Sequence, residues 1–267
     1  MNFENVYWDA DWMKNDGHYP SILAIGDSWF WYPFPGGSLL NQLGRLVANK
    51  EHFILAYGNN GAEAFDYVYG KYNKSIKTAL RLYGSDLSAV FISGGGNDFA
   101  GFNDLRPLLE KDCSAANEAA ACFRKGDGDA TLNWLMRKTS ENYSMLIGQI
   151  MASCNSKVDV FLHNYDYAIP SGKGVFGKNS GWLKPALDDA KVPEPLQHDC
   201  MKYLINRFTQ TLQELPAVSS KNVFLVDSRG TLAKPDWANE IHPKPSGFKK
   251  IAQKAWLPQL SARGLAG

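Results

Sequence analysis

The stretch Ser21-Ile22-Leu23-Ala24-Ile25-Gly26-Asp27-Ser28-Trp29-Phe30-Trp31-Tyr32-Pro33 sets a short apolar run against a polar turn and then a block of aromatics. Ser21–Gly26 reads as a buried strand, because the run is compact, partly β-branched and stopped by turn residues. The serine after it has two readings. Asp and Ser are favoured as helix N-caps. A serine hydroxyl at a strand-to-helix turn can also face a crevice, close to backbone N–H groups that stabilise negative charge. The flanks are not Gly-x-Ser-x-Gly, so the nucleophile elbow of the α/β-hydrolases does not apply.

Four more segments have the same strand character: His52–Tyr57, Ala89–Ser93, Val158–His163 and Asn222–Val226. Helical spacing fills the intervals, as at Leu39/Leu43/Leu46/Val47, Ile76/Leu80/Tyr83, Trp134 to Met151, and Leu204/Phe208/Leu212/Leu215. A last helix is expected from Ser246 past Ile251 to Trp256. Alternating strands and helices imply crossover connections and a parallel sheet covered on both faces, hence one α/β domain over residues 1–267. Two stretches, at about 104–128 and 165–195, are too long for plain connections and read as insertions.

Composition narrows the function. The 267 residues are 45% hydrophobic and 21% charged, with a formal net charge of +1 and scattered Lys and Arg. That balance offers no basic surface for a nucleic acid or an anionic membrane. No apolar run reaches the ~20 residues of a membrane span. The polar N-terminus lacks the pattern of a secretory signal, so the expected location is cytoplasmic, or secreted with the signal peptide absent from this sequence. Cys113, Cys122, Cys154 and Cys200 form no CxxC pair and lack zinc-site spacing, so no metal is expected. Cys113 and Cys122 are candidates for a disulfide closing a small loop if their segment is irregular.

In a parallel sheet, ligands bind outside the carboxyl ends of the strands. The chemically suggestive motifs fall there. Gly26-Asp27-Ser28 follows the first expected strand and Tyr57-Gly58-Asn59-Asn60-Gly61 the second. Ser93-Gly94-Gly95-Gly96-Asn97-Asp98 ends the third, with glycines for a backbone nest and an amide able to donate to an oxyanion. Asp236-Trp237-Ala238-Asn239-Glu240-Ile241-His242-Pro243 follows the fifth and supplies an imidazole suited to general-base work.

Together these motifs, in this order, resemble the SGNH hydrolases (the GDSL esterase/lipase family) from about Ile22 to the last helix. The resemblance implies a flavodoxin-like, three-layer α/β/α sandwich with a five-stranded parallel sheet. It implies a serine esterase that needs no cofactor and acts on a small-molecule ester. Ser28 would be the nucleophile and His242 the general base. The oxyanion would be held by backbone N–H groups of Ser28 and Gly61 and by the side chain of Asn97. The family aspartate three residues before the histidine is replaced here by Asn239. Three readings follow: a Ser28–His242 dyad with the ring held by Asn239 or a backbone carbonyl; a triad completed by Asp236 or Glu240; or a weakened enzyme or binder of carbohydrate or lipid. Trp29, Phe30, Trp31, Tyr32 and Phe34 after the serine, with Pro33 and Pro35 limiting any regular helix, could line a substrate pocket. Trp29, Trp31 and Tyr167 of the later insertion are the candidate substrate contacts, and Tyr165, Asp166, Tyr167, Phe176 and Trp182 the candidates for a lid. Short-chain or aryl esters are the expected substrates, with acyl-thioesterase and lysophospholipase activities as alternatives.

Overall fold

A computed structural model describes residues 5–32, 37–178, 180–215, 218 and 221–267. Its strands are β1 (Val6–Tyr7), β2 (Ile22–Gly26), β3 (Ile54–Gly58), β4 (Ala89–Ser93), β5 (Asp159–His163), β6 (Lys173–Gly174), β7 (Gly177–Lys178) and β8 (Val223–Val226). Six of them form one parallel sheet in the order β1-β3-β2-β4-β5-β8, while β6 and β7 make a separate antiparallel hairpin.

All five strands expected from the apolar runs are present. The sixth, β1, is a two-residue edge strand paired with Ile54 and Leu55 of β3. It leaves little trace in sequence, since two residues in a polar, Trp-rich segment establish no periodicity. The inner strands β2, β4 and β5 are buried along their whole length, which is why they read as continuous apolar runs and not as alternating ones.

The helices are α1 (Ala10–Asn15), α2 (Ser28–Trp31), α3 (Leu39–Val47), α4 (Ala64–Val68), α5 (Asn73–Tyr83), α6 (Phe102–Leu105), α7 (Leu132–Ser153), α8 (Lys184–Asp189), α9 (Glu194–Gln213), α10 (Pro245–Ile251) and α11 (Leu257–Ala262). They fall into two packed groups, α2/α3/α10 and α4/α5/α7/α9, giving a three-layer α/β/α sandwich. The α10–α11 arm widens into a π turn at Ala252–Trp256 just before Pro258, which has no N–H to continue the ladder. That turn seats the fully buried Trp256 against Phe91 and Phe161, which are register partners on β4 and β5.

The segment 104–128 is built from short helical turns and an isolated bridge between Leu109 and Phe123. It packs on the 165–195 segment through an Arg106–Asp189 ion pair and a 2.8 Å bond from Cys113 N to Ala190 O. The candidate Cys113–Cys122 disulfide is not formed. Both are free, buried thiols, and Cys113 Sγ instead donates to the carbonyl of Cys122 at 3.6 Å. Burial raises the Cys113 thiol to about 12, so it behaves as an apolar side chain and a weak donor.

Candidate active site

The four sequence motifs meet at the carboxyl rim of β2, β3 and β4 and in the loop before α10. Gly26 ends β2 beside Gly58 of β3. A Cβ on Gly58 would lie 2.0 Å from the Gly26 carbonyl oxygen, and its φ is +108°, so only glycine lets the two strands end this close.

The cap of α2 is supplied by the residue before the serine. Asp27 is the N-cap of α2, its Oδ1 accepting from Trp29 N at 2.9 Å. Ser28 is thereby released from capping, and its Oγ lies 2.8 Å from His242 Nε2. On the other side of the ring, Nδ1 lies 3.2 Å from Asn239 Oδ1. The orientation of that amide follows from its neighbours: the same oxygen accepts the backbone N–H groups of His242 at 2.8 Å and Ile241 at 3.1 Å. An NH₂ group there would oppose two donors. Nδ1 therefore carries the imidazole proton, and Nε2 is the lone pair that accepts from the Ser28 hydroxyl.

Burial lowers the pKa of His242 to about 4, with no carboxylate near enough to offset it. Neither acid proposed as a substitute for the family aspartate faces the ring. Asp236 is engaged by Lys250 at 2.6 and 2.8 Å and by Ala233 N at 2.9 Å. Glu240 is fully buried and accepts from Gly172, Leu183 and Lys184 N–H groups at 2.7, 2.7 and 3.1 Å. Asn239 is the residue aligned with the imidazole. The physical reason is local: one side-chain oxygen gathers two backbone N–H groups of its own turn, and the neighbouring carboxylates are consumed in fastening adjacent segments.

The imidazole lies beside two aromatic rings, Tyr32 at 4.5 Å between centroids and Trp182 edge-on at 5.6 Å. Trp29 connects the Ser28 turn to the His242 loop by donating from Nε1 to the Ile241 carbonyl at 3.0 Å. It also lines a small pocket beside Ser28, about 30 Å³ in volume, together with Phe99, Ala100, Ala168, Ile205, Trp237 and Ile241. Asn97 lines the same pocket and spends one N–H on the Ala62 carbonyl at 2.9 Å. Its second N–H has no protein partner among the described residues. Gly61 is exposed at φ +78° on the adjoining turn and lies outside the pocket lining.

Of the three aromatic substrate candidates, Trp29 alone lines the pocket. Trp31 packs edge-on against Trp8 at 6.2 Å, and Tyr167 donates to Asn206 Oδ1 at 2.9 Å. Among the lid candidates, Tyr165 and Asp166 line the pocket, while Phe176 points to solvent with 97% of its surface exposed. Phe34, with Pro33 and Pro35, lies outside the described residues. Sequence reasoning missed Phe99 and Ile205, which carry no local motif, and gave Trp237 no role within the histidine motif; the three converge only through the fold. Among the described residues, no helix is long and apolar enough to cross a membrane, and no group of three or more His, Cys, Asp or Glu is placed to hold a metal ion.

No family model matches the sequence, and no curated protein does. Solved structures do match in shape. A lipase from a goat rumen metagenome superposes with a TM-score of 0.55 at 14% identity, over 92% of this chain and 97% of its own. Phospholipase A1 from Streptomyces albidoflavus NA297 gives 0.52 at 16% identity, over 91% and 98%. The extracellular lipase of Streptomyces rimosus gives 0.51 at 16% identity, over 92% and 100%. The likeness is one of fold: these enzymes share the three-layer α/β/α sandwich of this chain.

Proposed function

We propose that the protein is a serine esterase that hydrolyses small carboxylic esters through an acyl-enzyme. The observation that carries this reading is the chain Ser28 Oγ, His242 Nε2, His242 Nδ1, Asn239 Oδ1, with steps of 2.8 and 3.2 Å, beside an apolar pocket. A serine hydroxyl needs a base to become nucleophilic, and a ring held in one tautomer provides it.

In the proposed reaction His242 Nε2 takes the Ser28 proton as Oγ attacks the ester carbonyl. The tetrahedral oxyanion is stabilised by the Ser28 and Gly61 N–H groups and the free N–H of Asn97. The imidazolium then protonates the leaving alcohol. A water, deprotonated by the same nitrogen, releases the acid from Ser28. Asn239 orients the ring but supplies no full charge to the imidazolium, so the base works at a handicap.

The substrate class follows from the pocket. Trp29, Phe99, Ala100, Ala168, Trp237 and Ile241 offer apolar contact and little polar recognition, which suits a short acyl chain or an aryl group. A lipase, a phospholipase and another lipase share the fold, in keeping with ester chemistry. The test is ester turnover with Ser28→Ala as comparison. Loss of turnover in a folded variant is expected, and turnover at the original rate overturns the assignment. Asn239 favours one second reading, a weakened member of this fold that binds its ligand without turning it over. A fluorophosphonate separates the two, labelling Ser28 in an enzyme and leaving a binder unmodified.

A further inference from the structure

We infer that Tyr165 is a positioning residue whose hydroxyl ties the nucleophile turn to the glycine loop carrying Asn97. The inference rests on the reading of Ser28 as nucleophile, but its physical content is independent of turnover.

Three residues leave the end of β5, and the outer two fasten the loop that follows β8. Asn164 accepts from Ser228 N at 2.8 Å and donates to Thr209 and Asp227. Asp166 accepts from Gly230 N and Leu232 N, both at 2.6 Å. Tyr165 points to the active site. Its hydroxyl donates to Asp27 Oδ2 at 2.7 Å and accepts from Gly96 N at 2.9 Å. Asp27 uses its other oxygen to cap α2 at Trp29 N, one residue beyond Ser28, and Gly96 immediately precedes Asn97. One hydroxyl thus connects two of the three segments that would hold the oxyanion.

The surroundings fit a fixed strut. Tyr165 is 4% exposed and Asp27 1%. The ring packs against Trp29 at 5.1 Å and Phe208 at 5.6 Å between centroids. A Cβ on Gly96 would lie 2.9 Å from Tyr165 Cζ, so the loop and the ring fit only with glycine there. The same loop is held from another direction by Tyr143, whose hydroxyl donates to the Gly94 carbonyl at 2.7 Å without bonding Asp27. Burial raises Asp27 to about 6, and the Tyr165 hydrogen bond counteracts that rise. Tyr67, Tyr143 and Asp98 also surround this carboxyl group.

The test compares Tyr165→Phe with Tyr143→Phe, each counted per active site by fluorophosphonate titration. Tyr165→Phe is expected to lower kcat about 10- to 100-fold with KM little changed, as misplacement of reacting groups does. It should also move an ionisation in the kcat profile upward from the neighbourhood of pH 6, because Asp27 loses a donor to its charged form. Tyr143→Phe should leave that profile in place. Hydrogen exchange gives a readout free of turnover: Tyr165→Phe should speed exchange both at residues 94–97 and at residues 27–30. The inference is overturned if Tyr165→Phe keeps kcat within about twofold with an unshifted profile, if Tyr143→Phe reproduces its effects, or if exchange rises at one loop alone. Coupled exchange in a protein without ester turnover would sink the esterase reading and leave the strut standing.

Discussion

Replacing Asn239 by Asp restores a full charge at the one position aligned with the imidazole, and its effect can be worked from the geometry. Asn239 Oδ1 lies 3.2 Å from His242 Nδ1 and already accepts two backbone N–H groups. A carboxylate in this place meets those same donors, which reduces the cost of burying it. Opposite charges about 4 Å apart interact by ~4 kcal/mol at an effective dielectric of about 20, equal to about three pKa units. His242, held at about 4 by burial, should then titrate near ~7. The sign of the pH effect follows. The base works only when neutral, so in the native protein the limb set by His242 lies at about pH 4, below the separate step that Asp27 sets near about 6. In Asn239→Asp the acid limb moves up toward neutrality. Above that limb the stabilised imidazolium should raise kcat/KM, by roughly 10- to 1,000-fold if it recovers part of the ~10⁴ lost when a protease triad aspartate becomes asparagine. The assay is kcat/KM for an aryl ester across the acid and neutral range, for both proteins. A folded variant whose acid limb and neutral rate both match the native protein would refute the reasoning, because Asn239 would then not be coupled to the reacting base.

Three further outcomes are expected. Glu240→Ala leaves the N–H groups of Gly172, Leu183 and Lys184 without their buried acceptor and should cost about 3 kcal/mol or more; urea denaturation and proteolysis of the 170–184 segment would show it, and an unchanged midpoint would contradict it. His163 is fully buried between Ser93 and Ser228 hydroxyls, with its pKa lowered to about 3 by burial. The unfolded chain takes that proton below pH ~6.5 while the folded one does not, so stability is full above that pH and declines as pH falls toward about 3. Asp27 and Asp98, raised to about 6 and about 7, pull the opposite way, so the slope is isolated by comparing His163→Gln with the native chain; parallel stability curves would remove His163 from the account. Cys113, its thiol raised to about 12, should resist alkylation in the native protein and react once unfolded; fast native alkylation would place it elsewhere.

The sheet was legible wherever burial on both faces forced a continuous apolar run, as in Ile22–Gly26 and Ala89–Ser93. It was not legible at Val6–Tyr7, where two residues cannot establish a pattern. At the site, the motifs at strand ends singled out Ser28, Asn97 and His242 by residue type, and the fold brings Ser28 and His242 within 2.8 Å of each other and Asn97 to the same pocket as Ser28. The orienting group was ambiguous in sequence, since Asp236, Asn239 and Glu240 lie within five positions and a loop path is not a local property. The structure separates them by consumption: Lys250 takes Asp236 and three backbone N–H groups take Glu240. Trp31 and Tyr167 show the converse. Aromatic character beside a reactive serine predicts burial, and which face is buried depends on Trp8 and Asn206, distant partners that no spacing reveals. Tyr165 was visible only as one aromatic in an insertion, and its role emerges from two bonds that cross the sheet rim.

The central claim is that Ser28 is a nucleophile served by His242. It is tested most directly by treating the folded protein with a fluorophosphonate and mapping the adduct by mass spectrometry. One adduct is expected, on Ser28, formed in step with loss of aryl-ester turnover and strongly slowed in His242→Ala. An unmodified Ser28, or an adduct on another residue that abolishes turnover, would contradict it.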